Sequence, residues 1–166
     1  MSTTKVFVHG NPETSAVWSL LVAELRKRGV DNIVLLTPPG FGAPTPAGWG
    51  GTMREYRDWL IAELEAIGGD IDLVGHDWGA IMLWQHALLN PERIIGLANM
   101  SVHLKAREPT EPVAFWEKVL GEDFYLVHFN RQPEVAARAF ETDPKKLLTN
   151  LYRTKHWLDN SSAQPD

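Results

Sequence analysis

Hydrophobic and polar positions alternate along the first part of the chain in two distinct patterns. Short uninterrupted apolar runs are typical of buried strands, and apolar residues that recur every three or four positions are typical of amphipathic helices. The apolar runs predict strands at 5–9, 31–36, 71–75 and 94–100, and the helical repeats predict helices at 18–28, 52–67 and 80–89. Strands that alternate with helices imply right-handed crossovers and a parallel sheet covered by helices on both faces. The pattern therefore predicts an α/β fold.

Each predicted helix has an apolar side that we expect to face the core. The second helix begins at Thr52-Met53-Arg54-Glu55, whose spacing is that of a capping box. The expected core positions are Leu20, Leu21 and Leu25 in the first helix, Tyr56, Leu60, Leu64 and Ile67 in the second, and Ile81, Trp84 and Leu88 in the third.

The pattern changes between the strands and again after Ser101. Residues 37–51 carry four prolines and several glycines, which predicts a surface loop. Beyond Ser101 no β-branched run follows, and residues 111–120, 133–140 and 143–153 read as helices. We therefore expect a core domain at 1–102, a helical lid at 103–160 and a polar tail at 161–166.

Composition narrows the class of protein. The chain has 166 residues, of which 44% are hydrophobic and seven are tryptophan, so we expect a substantial packed core. It has no cysteine, which excludes disulfides, thiolate nucleophiles and cysteine metal sites. No pair of histidines or carboxylates has the spacing of metal ligands, and no glycine-rich phosphate loop is present. We expect neither a metal nor a cofactor.

Charge and hydropathy bear on location and partners. The formal net charge is -5 and basic residues do not cluster, which argues against nucleic acid or an anionic membrane as a partner. No apolar segment approaches the length needed to span a membrane. So few residues precede the first strand that we expect no signal peptide, and therefore a cytoplasmic location.

The segment Val74-Gly75-His76-Asp77-Trp78-Gly79-Ala80 carries the candidate chemistry. It follows a predicted strand, precedes a predicted helix, and places aspartate where a G-x-nucleophile-x-G elbow usually has serine. A carboxylate that attacks a saturated carbon leaves an ester, which water can open at its carbonyl. The alternative is a turn aspartate satisfied by nearby backbone amides. We favour Asp77 as a nucleophile because of the flanking glycines.

Three segments resemble the α/β-hydrolase fold. They are Val8-His9-Gly10-Asn11-Pro12, the loop Pro38-Pro39-Gly40-Phe41-Gly42 and the elbow itself. More narrowly, they look like the aspartate-nucleophile branch of epoxide hydrolases and haloalkane dehalogenases. The match covers residues 5 to about 100, and segment 124–136 is similar to the cap of epoxide hydrolases.

The resemblance implies roles for individual residues. Asp77 would be the nucleophile, and Asn11 and Trp78 would hold the oxyanion through their backbone N–H groups. Their side chains would instead grip a leaving halide in a dehalogenase, and simple core packing is the other reading of Trp78. Tyr125 would donate to the epoxide oxygen, with a buried lid tyrosine as its alternative reading. The motif glycines are Gly10, Gly75 and Gly79.

The chain also departs from the family pattern. In the family, a supporting acid and then a histidine follow the nucleophile at the ends of later strands, and this chain runs out of strands before either. None of its six histidines has the required placement at a strand end with a carboxylate behind it. We therefore expect a partial α/β-hydrolase core with a mostly parallel sheet, followed by an incomplete helical cap.

These observations predict a hydrolase that resembles epoxide hydrolases. It would open a small apolar epoxide, or a related alkyl electrophile, through an ester on Asp77 and yield a diol, with the acid and base histidine missing from this chain. One alternative is a haloalkane dehalogenase, which Asn11 and Trp78 favour. The other is a truncated, non-catalytic protein that binds ligands, or whose open sheet is completed by a partner chain or by a second copy.

Overall fold

The computed structural model describes residues 3–104 and 111–152. The chain divides into two compact units, Met1–Lys105 and Ala106–Asp166. The predicted polar tail at 161–166 lies outside the described residues, as do Arg153, where the last lid helix was expected to end, and His156.

The first unit is a four-stranded parallel sheet with helices between the strands. Its strands have the order β2-β1-β3-β4, and every neighbouring pair is parallel. The α/β fold predicted from the hydrophobic pattern is confirmed. The elements are β1 (Thr4–Val8), α1 (Ser19–Lys27), β2 (Ile33–Leu36), α2 (Met53–Ile67), β3 (Ile71–His76), α3 (Trp78–Leu89) and β4 (Ile94–Met100), with short 3-10 helices at Ser15–Trp18 and Pro91–Arg93.

Strand register brings two loops to the same end of the sheet, where the carboxyl ends of the strands lie. Val8 at the end of β1 pairs with Gly75 near the end of β3, and Gly75 pairs with Asn99 of β4. Because the strands are parallel, the segments that follow β1 and β3 leave the sheet side by side. This places the His9–Pro12 segment next to the elbow.

The larger core lies between the sheet and the helices α2 and α3. As predicted, α2 turns Tyr56, Leu60 and Leu64 inward, and Ile67 packs against the same cluster. The predicted capping box is present, since the Thr52 hydroxyl accepts from the N–H of Glu55 and the Glu55 carboxylate accepts from the N–H of Thr52. The loop 37–51 contains neither helix nor strand, again as predicted.

The predicted inward face of α1 is wrong for Leu20 and Leu21, whereas Leu25 packs against the core as predicted. Leu20 is 85% exposed and Leu21 41% exposed. Trp18, at the end of the preceding 3-10 helix, and Val22 of α1 pack on the sheet, and with the partly buried Leu25 they form an i, i+4, i+7 stripe. The contact of the Trp18 ring with Phe7 of β1, at a centroid separation of 5.2 Å, orients this stripe.

The prediction for α3 is wrong for the same kind of reason. Its buried side chains are Ala80, Met82, Leu83 and His86, whereas Leu88 is 63% exposed and Ile81 and Trp84 are half-buried. The close approach of the first turn of α3 to β1 at Gly79 sets the rotation of the helix about its axis, and this rotation places Met82, Leu83 and His86 inward. The indole N–H of Trp84 donates to the carbonyl of Val102 at 3.1 Å.

The second unit is helical in its described part. It comprises α4 (Pro112–Leu120), α5 (Tyr125–Arg131), α6 (Pro133–Thr142) and α7 (Pro144–Leu151), of which α5 was not predicted as a helix. Aromatic rings link these helices through the pairs Trp116–Phe124, Phe124–Tyr125, Tyr125–Phe129 and Phe129–Phe140. Among the helices in 3–104 and 111–152, none has the length and apolar content that crossing a membrane requires.

Candidate active site

Asp77 lies at the tip of a sharp turn between β3 and α3. Its backbone has φ 53° and ψ -121°, a region that residues other than glycine rarely adopt, at a cost of about 1–3 kcal/mol. Two main-chain bonds hold the turn, because the N–H of Asp77 donates to the carbonyl of Met100 at 3.3 Å and its carbonyl accepts from Ile81 at 3.2 Å. The strained backbone lifts the half-buried side chain out of the strand, as an elbow requires.

The two elbow glycines allow the close packing on which this turn depends. A Cβ on Gly79 would overlap the main-chain carbonyl of Val8 in β1. A Cβ on Gly75 would overlap the side chain of Asn99 and approach the main chain of Ala80. The beginning of α3 therefore sits directly against the sheet, and any larger residue at either position would push Asp77 out of place.

The loop after β1 contacts the Asp77 carboxylate. The N–H of Asn11 donates to Oδ1 of Asp77 at 2.9 Å. A Cβ on Gly10 would overlap the Asp77 side chain, so only glycine allows this approach. Residues 10–13 form a tight turn in which the N–H of Glu13 donates to the carbonyl of Gly10 at 3.2 Å, and the Asn11–Pro12 peptide is cis.

This arrangement differs from that of an ordinary turn aspartate. Asp77 is the N-cap residue of α3, yet its side chain makes no capping hydrogen bond to the helix. Its carboxylate instead faces an amide 66 positions away in the sequence. The N-terminus of α3 favours negative charge beside it, which suits an ionised carboxylate.

Trp78 is the first residue of α3. Its ring is half-buried and packs against the core between the sheet and α2. Its main-chain N–H belongs to the first turn, where a helix offers no carbonyl to accept it. The packing of the ring agrees with the simpler reading of this residue, and the N–H stays a candidate oxyanion donor together with that of Asn11.

The prediction that no histidine lies at a strand end with a carboxylate behind it is wrong for His76, the last residue of β3, which forms a polar pair with Glu13 beside the elbow. Nδ1 of His76 lies 2.8 Å from Oε2 of Glu13, and the Glu13 side chain is only 9% exposed. Since a carboxylate only accepts, His76 donates from Nδ1 whether it is neutral or charged. The two residues are 63 positions apart, so the one available signal was a glutamate two positions after Asn11 in the motif loop.

Tyr125 belongs to the second unit. It is the first residue of α5 and is half-buried, and its ring contacts those of Phe124 and Phe129 at centroid separations of 5.0 and 5.7 Å. The structure thus brings Asp77, Asn11, Trp78 and the three motif glycines together in the first unit and places Tyr125 in an aromatic cluster of the other.

Within residues 3–104 and 111–152, no three His, Asp or Glu side chains are arranged to hold a metal ion. A cavity of about 190 Å³ is lined by Ile71, His86, Arg93 and Ile94, at the opposite end of the strands from Asp77. Burial, followed by the charge of Arg93, lowers the pKa of His86 below its ordinary value of 6.5.

Comparison with known proteins adds an independent observation. A profile of the Alpha/beta hydrolase family matches residues 6–164. Epoxide hydrolase 2 of Siraitia grosvenorii is 35% identical over 155 residues, which cover 87% of this chain and 48% of that protein. The haloalkane dehalogenase of Sphingobium indicum is 32% identical over 101 residues, which cover 57% of this chain and 33% of the dehalogenase.

A solved structure has the same fold. The epoxide hydrolase of Vigna radiata superposes with a TM-score of 0.76 at 24% identity, over 93% of this chain and 52% of the other. The chain thus spans about half the length of the curated relatives it matches.

Proposed function

The chain belongs to the alpha/beta hydrolase family, and on that premise we propose that it is an epoxide hydrolase-like protein whose Asp77 carboxylate opens a small apolar epoxide. One observation carries the proposal. The carboxylate is held out of the sheet by a strained backbone at φ 53°, and its Oδ1 accepts an N–H from the neighbouring strand's loop at 2.9 Å. Such fixed positioning suits a covalent nucleophile.

In the first step, a carboxylate oxygen of Asp77 attacks an epoxide carbon. A new C–O bond forms and the strained ring C–O bond breaks, so that negative charge develops on the former epoxide oxygen. Tyr125 is proposed to donate its phenolic proton to that oxygen. The product is a hydroxyalkyl ester on Asp77. The aromatic surroundings of Tyr125 support an apolar substrate.

In the second step, water adds to the carbonyl carbon of the ester. The negative charge that develops on the carbonyl oxygen is stabilised by the N–H groups of Asn11 and Trp78, which act as the oxyanion hole. The diol then leaves, the Asp77 carboxylate is restored, and the proton that the water releases returns to the Tyr125 phenolate. Activation of water needs a base, and we propose that neither the acid nor the histidine that serves this step in the family is supplied by these 166 residues.

Incubation of the chain with styrene oxide tests the proposal. Intact mass should increase by one molecule of the epoxide, and peptide mapping should place the adduct on Asp77. The nearly isosteric Asp77→Asn variant should remain unmodified. An unmodified parent chain, or an adduct that persists in Asp77→Asn, would refute the nucleophile. Sustained release of diol would refute the missing base alone.

Haloalkane dehalogenation is the second candidate. It is supported by the asparagine at position 11, whose side chain is exposed next to the nucleophile's loop, and by the similarity to the Sphingobium indicum dehalogenase. The side-chain amide of Asn11 and the indole N–H of Trp78 are neutral donors, which suit a leaving halide. Ester formation that is faster with a bromoalkane than with styrene oxide, with one bromide released per ester, would favour this candidate over the epoxide reading.

A partner-completed sheet is proposed as an addition to either activity. The strand β4 has a paired neighbour on one side only among the described residues, and it lacks charged residues along its length. Ile95 in this strand is 64% exposed. An uncharged, exposed edge strand is prone to pair with another strand, either from a second copy or from a partner chain.

A further inference from the structure

The carbonyl of Gly10, one of the motif glycines, accepts two hydrogen bonds. One donor is the N–H of Glu13 at 3.2 Å, which closes the turn. The other is the imidazole of His9, whose Nδ1 lies 2.9 Å from the same oxygen. His9 is completely buried. A carbonyl oxygen only accepts, so Nδ1 carries the proton.

These two bonds fix the direction of the neighbouring N–H. The carbonyl of Gly10 and the N–H of Asn11 belong to one peptide group, which is planar, and in a trans peptide they point in opposite directions. Holding the oxygen on one side therefore aims the N–H towards the other side. That side is occupied by the carboxylate of Asp77, which accepts the N–H at 2.9 Å.

From this geometry we propose that His9 is a positioning residue, which aims the oxyanion donor of Asn11 by locking the Gly10–Asn11 peptide plane through its Nδ1–H. The catalytic role of the Asn11 N–H rests on the proposed function. The direction in which His9 holds that N–H does not depend on any reaction. His9 touches neither the substrate nor Asp77 in this scheme.

The second imidazole nitrogen supports a fixed role over a catalytic one. Nε2 of His9 is buried and has no hydrogen-bond partner among the described residues. A buried polar atom without a partner destabilises the fold, a cost that a hydrocarbon side chain at the same place would avoid. The Nδ1–H bond to the carbonyl of Gly10 offsets part of this cost.

A matched pair of variants separates the hydrogen bond from the packing. In His9→Asn the side-chain amide nitrogen occupies the place of Nδ1 and keeps a donor. His9→Leu has nearly the same shape as the asparagine and lacks the donor. Any difference between the two reports the bond to Gly10, provided that both variants show the parent's far-UV circular dichroism.

The direct readout is the Asn11 amide proton in a ¹H–¹⁵N spectrum. In the parent chain and in His9→Asn, changing Asp77 to Asn should move this resonance strongly, because the proton loses a charged acceptor. In His9→Leu the same change should move it by less than half as much. An equal shift in all three backgrounds would overturn the inference.

A second readout follows the proposed chemistry. After formation of the styrene oxide ester, hydroxylamine attacks its carbonyl carbon, the ester C–O bond breaks, the diol leaves with the proton, and Asp77 remains as a hydroxamate. Cleavage should be about tenfold slower in His9→Leu than in His9→Asn. Equal rates would count against the positioning role, whereas absence of any ester in the parent would refute the proposed function and leave the amide readout to decide the inference.

The parent chain alone also gives a decisive measurement in case His9→Leu does not fold. Long-range ¹H–¹⁵N correlation distinguishes the two neutral tautomers of histidine. The inference requires the proton of His9 on Nδ1. A proton on Nε2 alone would leave two lone pairs facing each other at the Gly10 carbonyl, and would overturn it.

Discussion

Gly10 and Asp77 share a space in which one added methyl group has no room. A Cβ on Gly10 would overlap the Asp77 side chain, which is also the acceptor of the N–H that follows Gly10. We expect Gly10→Ala to displace the carboxylate, to slow its alkylation by styrene oxide about a hundredfold and to destabilise the fold by about 1–3 kcal/mol. A time course of intact mass measures the alkylation rate, and thermal unfolding measures the stability.

Gly29→Ala is the control for that substitution. Gly29 has φ 80° with open space around it, so alanine there costs stability through backbone conformation alone. It should leave the alkylation rate unchanged. A similar loss of rate in both variants would show that Gly10→Ala acts through general destabilisation.

The strained backbone at Asp77 predicts that glycine at this position gives a more stable protein than alanine. Asp77→Gly relieves the cost of φ 53°, whereas Asp77→Ala keeps it, and both remove the carboxylate. After allowance for the freedom that glycine adds to the unfolded chain, the glycine variant should be more stable than the alanine variant by about 1 kcal/mol. Urea unfolding measures the difference, and equal stabilities would argue against strain at the elbow.

Tyr125→Phe separates the two candidate chemistries. Epoxide opening generates an alkoxide that needs a proton, whereas a halide leaves as a stable anion. We expect the variant to alkylate with styrene oxide at least about a hundredfold more slowly than the parent, with little change for a bromoalkane. Parallel time courses by intact mass test this. Equal slowing with both reagents would remove Tyr125 from the proposed proton transfer.

His86 predicts a pH dependence of stability. Its side chain is 7% exposed, and burial together with Arg93 lowers its pKa in the folded chain. As the pH falls through 6.5, the unfolded chain takes up the proton before the folded chain does. The stabilisation is therefore complete above that value and is lost as the pH falls towards the lowered pKa.

Melting temperatures of the parent and of His86→Gln between pH 8 and about pH 5 measure this contribution. As the pH falls, the melting temperature of His86→Gln should decrease less steeply than that of the parent. His103→Gln removes an exposed histidine instead and should retain the parent's slope. Identical slopes in the parent and in His86→Gln would contradict the assignment.

The exposed strand β4 predicts self-association or pairing with another chain. Ile95→Lys places a charge on the uncharged edge and should shift the protein towards monomer in size-exclusion chromatography with light scattering. Leu20→Lys, on the exposed side of α1, is the matched control and should not change the mass. A parent chain that is already monomeric at high concentration would rule out pairing between copies.

The sequence predicted elements better than their rotation. The face of α2 was correct because Tyr56, Leu60 and Leu64 recur every four residues and all three lie in the core. On α1 and α3 more than one stripe was apolar, and contacts with β1, at Phe7 and at Val8, chose between them. Such contacts join residues far apart in the sequence, and no local pattern contains them.

The candidate site shows the same division. The elbow and the loop after β1 are motifs of consecutive residues, so Asp77, Asn11 and the glycines were visible in the sequence. The Glu13–His76 pair and the bond from His9 to Gly10 were not, because neither follows from residue type. The first depends on strands that meet only in the sheet, and the second on a ring orientation.

Because Val8 pairs with Gly75, the proposed labelling of Asp77 by an epoxide depends on the correct alignment of β1 with β3. A slip of β1 by one residue would turn its side chains to the opposite face and carry the Asn11 amide away from the carboxylate. Molecules that take up an epoxide label would then be those in which the two strands are correctly aligned. The fraction of labelled molecules, measured at successive times during refolding, would then report the fraction with a native sheet without a spectroscopic probe.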